Sequence, residues 1–136
     1  RLPYALNTLA EAFLMLGDLS SAREIAARAV NWNELNGNAE QLVLSWRITA
    51  AVCIKTKEHE SARALLHKAS ILARDMAMKP HVAWATASWG DLFAAAGQRE
   101  KAGSCYRRSI ALWNEMGISC HATRSIRALQ GCSPSK

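Results

Sequence analysis

Three stretches of this chain restate one another at a fixed interval of 40 residues: GDLSSAREIAARA from Gly17, KEHESARALLHKA from Lys57 and GQREKAGSCYRRS from Gly97. Self-similarity at such a period constrains the fold more than any composition does, because each unit is one supersecondary element that can bury its apolar face only against the next copy. Aligned at that interval, small residues fill three columns: Ala10, Ala50 and Gly90; Ala22, Ala62 and Ala102; Ala29, Ala69 and Ser109. Two helices joined by a tight turn approach closely only where the side chains at their crossing are short. Between the columns, Leu6, Leu9, Phe13 and Leu16, then Leu42, Trp46, Ala50 and Cys53, then Val82, Trp89 and Phe93 keep helical spacing. Each unit therefore reads as a helix pair, and no segment reads as a strand.

Local chemistry sets the expected boundaries. Pro3 and Pro80 suit first helical turns, Asp18 and Asn38 suit N-caps, and Gly17, Gly37, Gly97, Gly117 and Gly131 mark helix ends. Helices are predicted over 3–16, 19–36, 39–56, 58–78, 80–96, 99–116 and 119–130. The expected architecture is all-α: a right-handed α-solenoid of three helix pairs (units 3–37, 38–79 and 80–117) plus a C-terminal capping helix within 118–131. Residues 1–131 form the expected single domain, and 132–136 a mobile tail. The last helix carries Ala122, Ile126 and Leu129 on one side and polar residues elsewhere, as a terminal cap requires. At the other end Leu2, Tyr4, Leu6 and Leu9 predict an uncapped apolar face, and with it self-association.

Seventeen Lys and Arg against eleven Asp and Glu give a formal charge of +6. That charge is not gathered into a strip: Arg23, Arg28, Arg63, Lys68, Arg107 and Arg108 are interleaved with Glu24, Glu34, Glu58, Glu60, Glu100 and Glu115, the pattern of a solvated mixed-charge face. No apolar run approaches a membrane span. Cys53, Cys105, Cys120 and Cys132 form no CxxC pair and have no histidine at zinc-ligand spacing, so free thiols in a reducing, cytoplasmic compartment are expected. Arg1 is not an initiator methionine, and the chain reads as a fragment of a longer protein.

The order small, bulky, glycine, alanine, small, carried by Ala10, Phe13, Gly17, Ala22 and Ala29 and again by Gly90, Phe93, Gly97, Ala102 and Ser109, resembles the tetratricopeptide repeat. The middle copy departs from it, with Cys53 and Lys57 at the aromatic and glycine places. The period of 40 exceeds the family's usual length of about 34, so HEAT-like pairs compete on period alone, and longer second helices are expected to absorb the surplus. The run Met78-Lys79-Pro80-His81-Val82-Ala83, with Gly90-Asp91-Leu92-Phe93, Gly97-Gln98-Arg99-Glu100-Lys101-Ala102 and Trp113-Asn114-Glu115-Met116-Gly117, is similar to the C-terminal arms of bacterial signal-transduction ATPases, nucleotide cyclases and transcriptional regulators.

That resemblance implies a concave groove lined by first helices, with Tyr4, Leu44 and Trp84 facing it, then Asn7, Glu11, Arg47, Ala51, Ala87 and Asp91, and Arg124 and Arg127 from the last helix. Trp84 and Arg47 are the preferred contacts, since aromatic and arginine side chains dominate interface energetics. Trp46 and Trp89 are expected in the core. The lysine and asparagine of the chaperone-binding clamp are not reproduced. His59, His67, His81 and His121 make no HExxH and are expected to be solvent-exposed; no Ser-His-Asp grouping and no phosphate loop occur, so no catalytic residue, metal or cofactor is expected. The expected function is a non-catalytic interaction or sensor module that binds a protein or peptide segment, or another domain of its parent protein, in the groove. The alternative is RNA binding on the basic surface. It is disfavoured because Asn7, Arg47 and Ala87 do not match as a one-base-per-repeat code requires.

Overall fold

A computed structural model of the chain describes residues 2–132, with side chains from residue 4 onward. The side chain of Leu2, and the tail expected at 132–136 beyond Cys132, lie outside the described residues. Seven α-helices follow one another: α1 (Leu2–Leu16), α2 (Leu19–Asn36), α3 (Ala39–Lys55), α4 (His59–Asp75), α5 (Lys79–Ala95), α6 (Arg99–Glu115) and α7 (Thr123–Cys132), the last entered through a 3₁₀ turn, Ser119–Ala122. No strand occurs among the described residues.

Helices α1 to α6 all end on one backbone device. Left-handed φ values recur at Gly17, Gly37, Lys57, Ala77, Gly97 and Gly117, an interval of 20 residues. At five of these six turns a pair of bonds closes the preceding helix in the Schellman pattern. Gly17 N–H donates to Leu14 O at 3.1 Å and Asp18 N–H to Phe13 O at 2.9 Å, and Lys57 and Glu58 repeat this with Ile54 and Cys53 at 3.2 and 2.8 Å. The turn that lacks glycine in the middle unit thus has the geometry of its neighbours. Helix α4 ends at Asp75, short of the expected 78, because Ala77 takes the left-handed place. The surplus over the usual repeat length is shared, since α3, α4, α5 and α6 all have 17 residues; longer second helices do not account for it. Gly131 lies inside α7 and does not end it. Asp18 and Asn38 cap α2 and α3, accepting from Ser21 N–H at 3.1 Å and Gln41 N–H at 3.2 Å.

All nine column residues are buried. In the first column the partner sixteen residues on, in the following helix, explains the size: Ala10 packs with Ala26, Ala50 with Leu66, and Gly90 with Tyr106. A methyl group added at Gly90 would stand 2.6 Å from the Tyr106 ring. Alanine thus stands opposite alanine and leucine, and glycine opposite the larger tyrosine.

Consecutive helices pack antiparallel throughout, and α1 also meets α3, and α3 meets α5, whereas α2, α4 and α6 have no comparable contact with one another. Helices that converge on one side and diverge on the other make a curved stack, with α1, α3 and α5 on the concave wall. The core is serial: Ala10, Ala26 and Ile48 join α1, α2 and α3, while Ala50, Cys53, Ala62, Leu66 and Leu92 join α3, α4 and α5. Trp113, fully buried, closes the third pair against Ala83 and Ala122. Trp46 and Trp89, expected in the core, are only partly buried. Trp89 is held by its indole N–H donating to Ser70 Oγ at 3.0 Å. Asn33, Ala73 and Trp113 share one column of the repeat and are all buried, whereas Trp32 lies one residue out of it and is 38% exposed.

Candidate functional site

The concave wall holds a cavity of about 500 Å³ between α1, α3, α5 and α7. One stripe of α3 forms its floor: Leu44, Arg47, Ile48, Ala51 and Ile54 recur at intervals of three and four and so share a helix face. Glu11 and Leu14 enter from α1, His81, Trp84, Ser88 and Asp91 from α5, and Arg124 from α7. A second cavity of about 390 Å³ shares Trp84 and Arg124 and extends between α5, α6 and α7 to Trp113, Cys120, His121 and Arg127.

Of the residues expected at the groove, Glu11, Leu44, Arg47, Trp84, Asp91 and Arg124 thus converge on one cavity, and Arg127 lines its neighbour. Tyr4 is 54% exposed on α1 but lines neither. Asn7 is a correction. It is buried, 1% exposed, and serves as a tie within the wall. Its Nδ2 donates to Gln41 O and Oε1, both at 2.9 Å, and its Oδ1 accepts from Ser45 Oγ at 2.8 Å. Ser45 accepts in turn from Asn33 Nδ2 at 3.2 Å, so a buried polar chain joins α1, α2 and α3, with Asn33 Oδ1 the atom in it that finds no partner among the described residues. Ala87, expected at the groove by the same scheme, is 2% exposed and lines the second cavity beside Trp84 and Arg127.

Trp84 stands at the centre. Its ring meets the edge of Trp113 at 5.1 Å and of His81 at 5.2 Å, and the Arg47 guanidinium carbon lies 5.4 Å from its centroid. Packing within its own unit and lining the groove are therefore both true of it. Arg47 has no hydrogen bond and no ion pair among the described residues, and its Nε is buried without a partner. Burial, and then repulsion from Arg124, lowers its pKa to about 10 against the pull of Glu11 and Asp91, so it remains charged at neutral pH. Asp91, in contrast, is saturated: it accepts from Tyr106 Oη at 2.7 Å and from Arg124. Burial and then the Asp91 carboxylate push the Tyr106 phenol up, which keeps it a donor.

His81 was expected in solvent and is 8% exposed. Burial lowers its pKa first, and Glu40, 3.4 Å from its Nε2, works against that shift. The sequence held a signal for it, since His81 precedes Trp84 by one helical turn. No group of three or more His, Cys, Asp or Glu side chains comes together as a metal site among the described residues. Cys53, beside Arg23, is buried and its thiol is raised by desolvation, the opposite of a reactive cysteine.

Serial helix pairs, left-handed turns at a fixed interval and a concave wall define a helical-repeat protein with a tetratricopeptide-like, solenoid-like fold. Among solved structures, the fold resembles that of a Rap protein crystallised in complex with Competence and Sporulation Factor, with a TM-score of 0.89 and 19% sequence identity over 93% of this chain. The chain spans about a third of that protein's length, 36%. No protein-family model matches the sequence, and no curated protein matches it. No described helix is long and apolar enough to cross a membrane.

Proposed function

We propose that this chain is a non-catalytic binding module, part of a larger bacterial signalling or regulatory protein, whose concave groove receives a protein or peptide segment, from a separate partner or from another domain of its parent. The observation that carries the reading is the cavity lined by Trp84 and Arg47, an aromatic and an arginine that the chain's own side chains cover only in part. A volume of about 500 Å³, lined half by apolar and half by polar or charged side chains, is what a short segment fills, and a groove preformed by helices spares the cost of ordering it. The Rap protein of like fold was crystallised with a bound factor, which supports a binding role for such a scaffold.

The test is affinity selection from a pool of free synthetic dodecapeptides, followed by mapping of the five tryptophan indole N–H signals by NMR. Captured peptides are expected to move the Trp84 signal and to bind about 10-fold more weakly, or less, to Trp84→Ala. Capture with a shift confined to Trp32, on α2 and away from both cavities, would place binding on the convex face and defeat the proposal.

A further inference from the structure

We propose that the segment received by this groove presents an acidic side chain, aspartate or glutamate, to Arg47, beside an apolar side chain seated against Leu14, Leu44 and Ile54. The inference rests on the groove reading above and names the chemistry that reading leaves open.

Three observations carry it. The first is the state of Arg47. A guanidinium set into a wall is ordinarily paired, because burying an unpartnered charge is costly. Here no hydrogen bond or ion pair is described for it: its guanidinium carbon lies 5.4 Å from the Trp84 centroid, and its Nε is covered without an acceptor. The terminal nitrogens at the cavity are what remain for a ligand, and their planar fork matches a carboxylate.

The second observation is how the neighbouring charges are used. Asp91 is held by Tyr106 and by Arg124, so the positive charge of Arg124 is already answered and Arg47 is the cation in the cavity without an ion pair. Glu11 and Asp91 also flank the site, and their repulsion opposes a dianion such as a phosphoryl group more than the single charge of a carboxylate. Burial lowers the Arg47 pKa to about 10, far enough above neutrality that the cation persists. The net charge of +6 adds a long-range attraction for acidic segments.

The third is the placement of apolar side chains along the same floor. Leu44 precedes Arg47 by one turn and Ala51 and Ile54 follow it, with Leu14 opposite. An acidic residue docked on Arg47 therefore has apolar wall on both sides along α3. Water is displaced from that wall when the neighbouring side chain is apolar, and the ion pair strengthens as its surroundings dry.

The experiment takes the tightest acidic peptide selected from the free dodecapeptide pool and measures it by fluorescence anisotropy in three forms: unchanged, with each Asp or Glu changed in turn to its amide, and with the C-terminus amidated. Each form is titrated against the wild type, Arg47→Gln, Arg47→Lys and, as a surface control, Arg108→Gln. The selected pool is expected to be enriched in Asp and Glu, and one acid-to-amide change to weaken binding to the wild type about 10-fold or more, as for a desolvated charge-assisted pair. That loss should vanish on Arg47→Gln, persist on Arg108→Gln and be partial on Arg47→Lys. Because the peptide-side changes are read on the wild-type protein, the central result survives even if Arg47→Gln folds poorly. Groove-bound peptides without acidic enrichment, or an acid-to-amide loss equal on the wild type and Arg47→Gln, would overturn the inference and leave the groove reading standing. Loss only on C-terminal amidation would assign the carboxylate to a chain end and overturn the side-chain choice. No capture at all would remove the groove reading, and this inference with it.

Discussion

At the scale of single residues, the turns expose an uneven use of glycine. Six positions adopt the left-handed conformation, and Lys57 and Ala77 do so with a Cβ atom, at φ of 63° and 53°. That conformation costs a non-glycine residue about 1–2 kcal/mol, part of which glycine returns through its greater freedom in the unfolded chain. Lys57→Gly and Ala77→Gly are each expected to stabilise the protein by about 1 kcal/mol, a rise in Tm of roughly 3–5 °C in a thermal melt. A fall in Tm for both would mean that these turns are not held as described. Lys57 and Ala77 are also where reading the sequence was weakest: alanine carries no signal for a left-handed turn, so the expected end of α4 ran on to 78.

At the scale of the helix pair, stability rests on matched sizes at each crossing. Gly90 is free of side chain because Tyr106 lies across it, and the Tyr106 hydroxyl then reaches Asp91, which in turn holds Arg124 of α7. One crossing thus sets the position of a groove charge. Gly90→Ala is expected to destabilise by about 1–3 kcal/mol, the range for overpacking a core, since the added methyl would stand within 3.0 Å of three atoms of the buried Tyr106 ring. The pair Gly90→Ala with Tyr106→Leu reproduces the Ala50–Leu66 crossing of the middle unit, and should recover most of that loss in a denaturant melt. Equal stability of Gly90→Ala and the wild type would refute the size-matching account. The small columns were legible from spacing alone, but the reason for the glycine was not, because it depends on which side chain of α6 crosses α5.

At the scale of the whole molecule, the stack has one face unlike the rest. Ala5, Leu9, Ala12 and Leu16 form an exposed apolar stripe along α1. The equivalents of the first three in later units, Ser45, Thr49 and Val52 and then Ala85, Trp89 and Leu92, are buried or half-buried, whereas the equivalents of Leu16, namely Thr56 and Ala96, are exposed as it is. A stripe of this kind favours covering by another helical surface. Concentrated protein is expected to show a mass above the monomer by light scattering coupled to size exclusion, and the double change Leu9→Lys with Leu16→Lys to return it to the monomer. A wild type that stays monomeric at the highest concentration would refute this expectation.

The sequence by itself determined the helices, their pairing and the serial order of the pairs, because small residues at a fixed interval and caps at helix starts act locally and repeat. It also pointed to most of the groove residues, since positions on one helix face follow from spacing. Tertiary structure alone decided which of those positions point inward as ties and which remain open. Asn7, Arg47 and Ala87 occupy one column of the repeat, yet the first is locked into a buried polar chain, the second stacks unpaired on Trp84 and the third is covered. Their neighbours differ in size and hydrogen-bonding capacity, and those neighbours lie on other helices, up to 38 residues away in the sequence for Asn7 and Ser45. Spacing fixes where a side chain leaves its helix; what meets it there depends on contacts across the stack.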